Sequence, residues 1–236
     1  HLSKEDKYTF AFKELAKDLG LSTDINRIET FDVSHFSGDS AIASCVVFSK
    51  TGSYKKGYRL FNIPKEFSGN DIGSLENVLT RRLKYFNDKD IKPDLILIDG
   101  GKTQLKFTRS IIKASVHNDI KVISIAKGGN RVRATETIFS ANGVVEFDKY
   151  SKSYLLLQEM RDEAHRFAIS AQRKKKQNTI KKSKLDLVPG IGQALKIRLL
   201  NKFKNIKSVS EASIEDLMTI NGINEKIAQE IKTKLN

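Results

Sequence analysis

Two aspartates and one short polar run stand out as groups that could do chemistry together. Asp32 lies in Phe31-Asp32-Val33, and Asp99 closes the apolar run Leu95-Ile96-Leu97-Ile98 ahead of Gly100-Gly101. An acid set among core-forming residues is costly unless it is paired or holds a metal. A carboxylate at the C-terminal end of a buried strand is a favoured place for a site. Each could also be a strand-end cap or a turn acid; it is the pair that points to function. A third candidate comes from Arg161-Asp162-Glu163-Ala164-His165-Arg166-Phe167, where Asp162 and His165 are three apart and share a helix face. Two carboxylates on neighbouring strands can share a hard divalent cation. Spacing leaves Asp162 and His165 equal candidates for third ligand or base, since a neutral imidazole can ligate metal or take a proton. His35 falls on the opposite strand face from Asp32, and His117 ends a helix where a cation suits the dipole. Neither is assigned to catalysis.

The elements that must position these groups can be read from periodicity. Residues 3–20 form an amphipathic helix with Phe10, Phe12, Leu15, Ala16 and Leu19 at helical spacing, stopped by Gly20. Three strands follow, Arg27–His35, Ala41–Phe48 and Gly57–Ile63, separated by turns at Ser37-Gly38-Asp39 and Thr51-Gly52-Ser53, as in an antiparallel meander. A helix over Ile72–Phe86 carries Leu75, Val78, Leu79, Leu83 and Phe86 on one face. The continuous run before Asp99 reads as a strand buried on both faces of a parallel sheet. A helix over Thr103–Val116, a strand over Lys121–Ala126, a hairpin within 131–148 around Ala141-Asn142-Gly143 and a long helix over Ser151–Arg173 complete the order. Three meandering strands followed by alternating units give an α/β, RNase H-like mixed five-stranded sheet with flanking helices. In that order the first and fourth strands are neighbours, so Asp32 and Asp99 converge.

Charge narrows the partner. The 236 residues hold 42 Lys and Arg against 28 Asp and Glu, a net charge of +14. A balance this basic points to a polyanion, most often nucleic acid. No apolar run approaches the ~20 residues needed to span a bilayer. The single cysteine, Cys45, excludes a disulfide scaffold and fits a reducing, cytoplasmic setting. The chain opens on His1 rather than Met, as a piece of a longer protein would.

Residues 173–184 hold seven basic side chains and no acid, which reads as a linker over 177–184 or a solvated helix end. The expected domains are therefore 1–176 and 185–236. The second contains a repeat. Leu187-Val188-Pro189-Gly190-Ile191-Gly192 precedes a helix over Ala194–Phe203, and Ile220-Asn221-Gly222-Ile223-Asn224 precedes another over Glu225–Leu235. This is a small all-α tandem helix–hairpin–helix pattern. Glycines let the hairpin backbone approach a phosphate, and the next helix offers its N-terminal amides to the anion. Lys196, Arg198 and Lys202 add charge. Contacts of this kind reach the backbone and do not read sequence. Asn224 stands where the first copy has Gly192, which makes the second copy's grip on DNA the weaker expectation.

The blocks RIETFDVSHFSGDSAIASCVVF (27–48), PDLILIDGGKTQL (93–105) and RDEAHRFAI (161–169), followed by the double hairpin, resemble the C-terminal half of UvrC, the incision subunit of bacterial nucleotide excision repair. The resemblance implies a double-stranded-DNA endonuclease that cuts on the 5′ side of a lesion with Mg2+ or Mn2+. It carries the family's catalytic and metal-binding set onto Asp32, Asp99 and His165, and an accessory acid onto Asp71, which could equally be a helix N-cap. It also implies that the 3′ nuclease domain, the cysteine cluster and the UvrB-binding segment lie outside these residues, so UvrB binding should be weak here. Lys102 and Lys127, just past strand ends, could steady phosphate charge. Arg81, Arg82, Arg161 and Arg166 could line the DNA path, with Gly190, Ile191, Gly192, Lys196 and Gly222 gripping phosphates in the hairpins. Each of these cations could also be a solvated surface charge. The rival readings are an RNA–DNA hybrid nuclease and a non-catalytic DNA-binding module.

Overall fold

The computed structural model describes residues 4–34, 41–67, 69–88, 92–127 and 136–235, with the side chains of all but 4, 5, 87, 88 and 175–184. His35 and the Ser37-Gly38-Asp39 turn lie outside the described residues. Helix α1 (Lys4–Asp18) leads into β1 (Arg27–Ser34), β2 (Ile42–Ser49), a two-residue β3 (Gly52–Ser53) and β4 (Arg59–Asn62). Then come α2 (Asp71–Asp88), β5 (Leu95–Asp99), α3 (Lys102–Ala114), β6 (Lys121–Lys127), β7 (Glu136–Ser140) and β8 (Gly143–Val145). Strand β2 is antiparallel to β1 and pairs with both β3 and β4. Strands β1, β5 and β6 are parallel, and β6–β7–β8 continue antiparallel. The five expected strands are β4, β2, β1, β5 and β6; the sheet of eight adds β3 and the β7–β8 hairpin. The Thr51-Gly52-Ser53 segment differs from the expected turn. Gly52, at φ +104°, folds back so that Gly52 and Ser53 pair with Ser49 and Phe48 as β3.

Strand alternation gives each sheet face its own core. Ile28, Leu95, Leu97, Ile123 and Ile125 pack under α1 and the long α4 (Lys152–Asp186), through Phe12, Leu15, Leu157, Met160 and Ala164. Phe31, Cys45, Val47, Ile96 and Ile98 pack under α2 and α3, through Leu75, Val78, Leu79, Leu105 and Ile112. Helix α4 continues through the basic stretch that reads as a linker. The chain divides into compact units over 1–171 and 172–236. The second unit contains α5 (Gln193–Phe203), α6 (Ile206–Glu211), α7 (Ile214–Met218) and α8 (Glu225–Leu235) around Leu185, Val188, Leu199, Leu217, Ile220 and Ile231. Among the described residues no helix is long and apolar enough to cross a membrane.

Arg82 corrects an expectation. It is 1% exposed and cannot line a DNA path. Its Nη2 and Nε donate to Glu29 at 2.7 and 2.9 Å, and Glu29 is fully buried on β1. The guanidinium also lies over the Phe86 ring at 4.9 Å. The cause is helix phase: Arg82 falls in register with Leu75, Val78, Leu79 and Phe86, the face that meets the sheet. Arg27 Nη2 reaches the same carboxylate at 2.8 Å, and the Cys45 thiol, pushed up by burial, donates to it at 3.5 Å. Removing Arg82 leaves a buried carboxylate half-compensated. Arg82→Ala should therefore cost about 3 kcal/mol in urea unfolding, while the salt dependence of DNA binding by the folded protein stays that of wild type.

Candidate active site and nucleic-acid interface

The β1–β5 register builds the centre of the site. Pairing runs from Ile28↔Leu95 to Phe31↔Ile98, so Asp32 and Asp99 are the next residues on adjacent parallel strands. Alternation turns both towards the face of Ile28, Leu95 and Leu97, the one α4 covers. Asp32 is 6% exposed, and Ser34 Oγ donates to its Oδ2 at 2.7 Å. Burial, and then the negative charge of Asp32, push the Asp99 carboxyl up to about 6; Arg161, His165 and Lys127 pull the other way. Two carboxylates are thus held close enough to oppose each other's ionisation.

Helix α4 brings the third group. His165 Nδ1 lies 3.5 Å from Asp32 Oδ2, with the ring 59% exposed. Asp162 turns outward, where its Oδ1 accepts from Arg161 Nε at 3.1 Å. Of the two equal candidates, His165 is the one beside the carboxylates. The helix is fixed in place by β2: Ser44, paired across from Asp32, donates its hydroxyl to the Ala164 carbonyl at 2.8 Å. Its N-terminus is held by α1, where Glu14 Oε2 accepts the Ser153 N–H at 2.7 Å and Asp18 Oδ2 accepts the Ser153 hydroxyl. Negative charge there also suits the helix dipole. Tyr58 donates to Glu163 at 3.0 Å and packs edge-on against Phe167. Sequence reasoning missed Ser34 and Ser44. The available signal was a small hydroxyl at sheet positions otherwise filled by apolar residues.

Among the described residues no group of three or more His, Cys, Asp or Glu side chains stands ready-formed around a metal. The donor set that fits one is the Asp32–Asp99 pair, hard oxygen donors whose mutual repulsion a divalent cation would relieve, with His165 alongside.

The remaining expected residues divide. Lys127, at the end of β6, and Arg161 both act on Asp99. Arg161 is largely buried and pairs with Glu136 of β7. Lys102 opens α3 directly after Asp99-Gly100-Gly101, with its ammonium 5.4 Å from the centre of the Phe139 ring. Asp71 is the exposed first residue of α2; Asn70 provides the cap, its Oδ1 accepting the Gly73 N–H at 2.9 Å. Arg81 donates to the Asn62 carbonyl at 3.1 Å and lies over Phe61, and exposed Arg166 pairs with Glu163.

In the second unit the repeat is visible bond for bond. Val188 N–H donates to Leu185 O and Ile191 N–H to Val188 O; Ile220 N–H donates to Leu217 O and Ile223 N–H to Ile220 O. Gly190 and Gly222 take φ +87° and +98° in the two turns, a region that favours glycine. The copies differ at the next helix. Gly192 leaves α5 without a side-chain cap, whereas Asn224 Oδ1 accepts the Ile227 N–H at 2.9 Å and so occupies an α8 amide itself. Lys196 is paired with Asp186, and Arg198 donates to the Asn221 carbonyl at 2.7 Å, tying one hairpin to the other.

A mixed sheet with two acids at the same end of adjacent parallel strands, followed by tandem helix–hairpin–helix repeats, defines a nuclease of the RNase H-like class joined to a DNA-binding module. The UvrC RNase H endonuclease domain model matches residues 16–169, and a SAM-like helix-hairpin-helix tandem model matches 182–236. The chain is 36% identical over 233 residues to the UvrABC system protein C of Legionella pneumophila and 39% identical to that of Nitrosococcus oceani. The matches cover 98% of this chain and 38% and 39% of those proteins, so it spans under two-fifths of their length. Endonuclease V from Streptomyces avermitilis is a looser structural match, 14% identical at TM-score 0.39, covering 73% of this chain and 94% of that one. The chain belongs to the UvrC family.

Because the folded state holds Asp99 above its ordinary value, ionising it costs stability at high pH and nothing once it is protonated. Asp99→Asn, unfolded in EDTA, should be about 1 to 2 kcal/mol more stable than wild type at pH 8, with the gap closing below pH 4. In the second unit, a Cβ at Gly222 would meet Leu195 Cδ2 at 2.9 Å on a positive-φ backbone. Gly222→Ala should destabilise that unit by about 1–3 kcal/mol in thermal unfolding.

Proposed function

We propose that the chain is the catalytic and DNA-gripping part of a repair endonuclease that makes the 5′ incision beside a lesion, acting on DNA presented with UvrB. The observation that carries this reading is the Asp32–Asp99 pair with His165 Nδ1 3.5 Å from Asp32. Asp32 and Asp99 would hold Mg2+ or Mn2+, which when bound lowers the pKa of water and offsets charge on the scissile phosphate. Ser34 keeps Asp32 in one orientation. A proton on His165 Nδ1, facing Asp32, leaves Nε2 free to take a proton from attacking water. Lys127 and Arg161 supply positive charge at the same sheet end. The uncapped amides of α5, beyond Gly190-Ile191-Gly192, suit a backbone phosphate, and the self-capped α8 suits a supporting role.

Incision of supercoiled plasmid and of a lesion-bearing duplex in Mn2+ or Mg2+ tests this. Wild type should nick both. Asp32→Ala and Asp99→Ala should each lose at least 100-fold in rate while binding DNA as before. Undiminished nicking by both variants would refute the assignment.

A further inference from the structure

A basic track leaves the active-site end of the sheet along α3. Lys102, Lys106, Arg109 and Lys113 follow one another at i, i+4, i+7 and i+11, all exposed. At 100° per residue they fall within an arc of about 60°, a single stripe about 16 Å long. Helix α3 contains no Asp or Glu. The buried residues of the helix, Leu105, Thr108 and Ile112, lie about a quarter-turn round from the stripe. The stripe is therefore not needed for packing.

The stripe runs into a cleft. Lys106, Arg109 and Lys113 line a cavity of ≈ 800 Å³ together with Lys121, the first residue of β6, and polar Ser110 and Asn142. Among the described residues no carboxylate lines it. Among the described residues, Lys106, Arg109, Lys113 and Lys121 take part in no ion pair. Lys102 marks the upper end, next to Asp99. Lys121 pairs with Leu95 at the start of β5, so the cleft lies at the opposite end of the parallel strands. Apolar side chains, among them Leu21, Ile120 and Ile123, make up much of the floor, and every charged side chain at the groove is basic; charge of one sign in a low-dielectric cleft focuses the field on a polyanion.

We propose that this α3 groove is a second DNA-backbone site, which holds the duplex flanking the cut as it leaves the Asp32–Asp99 end. It rests on the DNA-endonuclease reading above. Duplex DNA advances 3.4 Å per base pair, so the stripe spans about five base pairs of backbone. Charge matching along that length, with the catalytic pair at one end, favours DNA over an acidic protein surface.

The test uses Lys106→Gln/Arg109→Gln/Lys113→Gln in the full chain. A control triple, Lys13→Gln/Lys17→Gln/Lys152→Gln, makes the same charge change on the α1–α4 side. Duplex affinity is followed by fluorescence anisotropy across a salt series, and nicking is measured at saturating DNA. The α3 triple should weaken binding at least ten-fold at 100 mM salt and lower the slope of log K against log salt by about 2 to 3. The control should change each far less, and nicking at saturation should stay within two-fold of wild type for both. Equal effects from the two triples would overturn the inference, as would a triple that binds like wild type, which would leave the groove to an acidic protein partner. Wild type that neither binds nor cuts DNA would refute the endonuclease reading itself, a separately recognisable result.

Discussion

The structure turns on one electrostatic conflict: two carboxylates forced side by side at the ends of adjacent parallel strands. The β1–β5 register leaves Asp32 and Asp99 no choice of face, and burial removes the water that would screen them. Folding tolerates this because nearby groups relieve part of the repulsion. Ser34 donates to Asp32, His165 stands against it, and Arg161 and Lys127 act on Asp99. The long α4 is held to the same arrangement by Ser44 under Ala164 and by the α1 acids at Ser153.

The same strand shows how a structural acid is treated differently. Glu29 lies three residues before Asp32 and faces the other layer. It is met by Arg82 and Arg27 and accepts from the Cys45 thiol. Its charge is satisfied within the core. Among the described residues Asp32 has a hydroxyl and a half-exposed imidazole but no fixed cation of its own. A buried acid with its counter-ion built in serves the fold, whereas one whose compensation is incomplete has room for a ligand.

Most of this was legible in the residues because the two periodicities are clean. The strand alternation around Asp32 and the unbroken run before Asp99 gave both the topology and the convergence of the acids. The hairpin repeat was equally plain, since glycine is required at positions 190 and 222. Spacing could not separate Asp162 from His165, because a helix face has two edges and only packing selects one. Arg82 misleads for a related reason: arginine usually lies at the surface, yet position 82 falls in the apolar phase of α2 with Leu75, Val78, Leu79 and Phe86. Ser44 is hard to read because its partner, the Ala164 carbonyl, is 120 residues away, whereas Ser34 acts on Asp32 only two residues back and its hydroxyl beside that acid is a local signal. The basic run at 173–184 reads as a linker by charge, yet its backbone is helical, since Lys, Arg and Gln are good helix formers.

The proposed function requires Asp32 and Asp99 to share a cation. Mn2+ binding measures it without relying on catalysis: the free ion is titrated by electron paramagnetic resonance at pH 7.5 against wild type, Asp32→Asn and Asp99→Asn. Wild type should bind Mn2+ saturably, and either substitution should weaken that binding at least ten-fold. Equal Mn2+ binding by all three proteins would contradict the shared site.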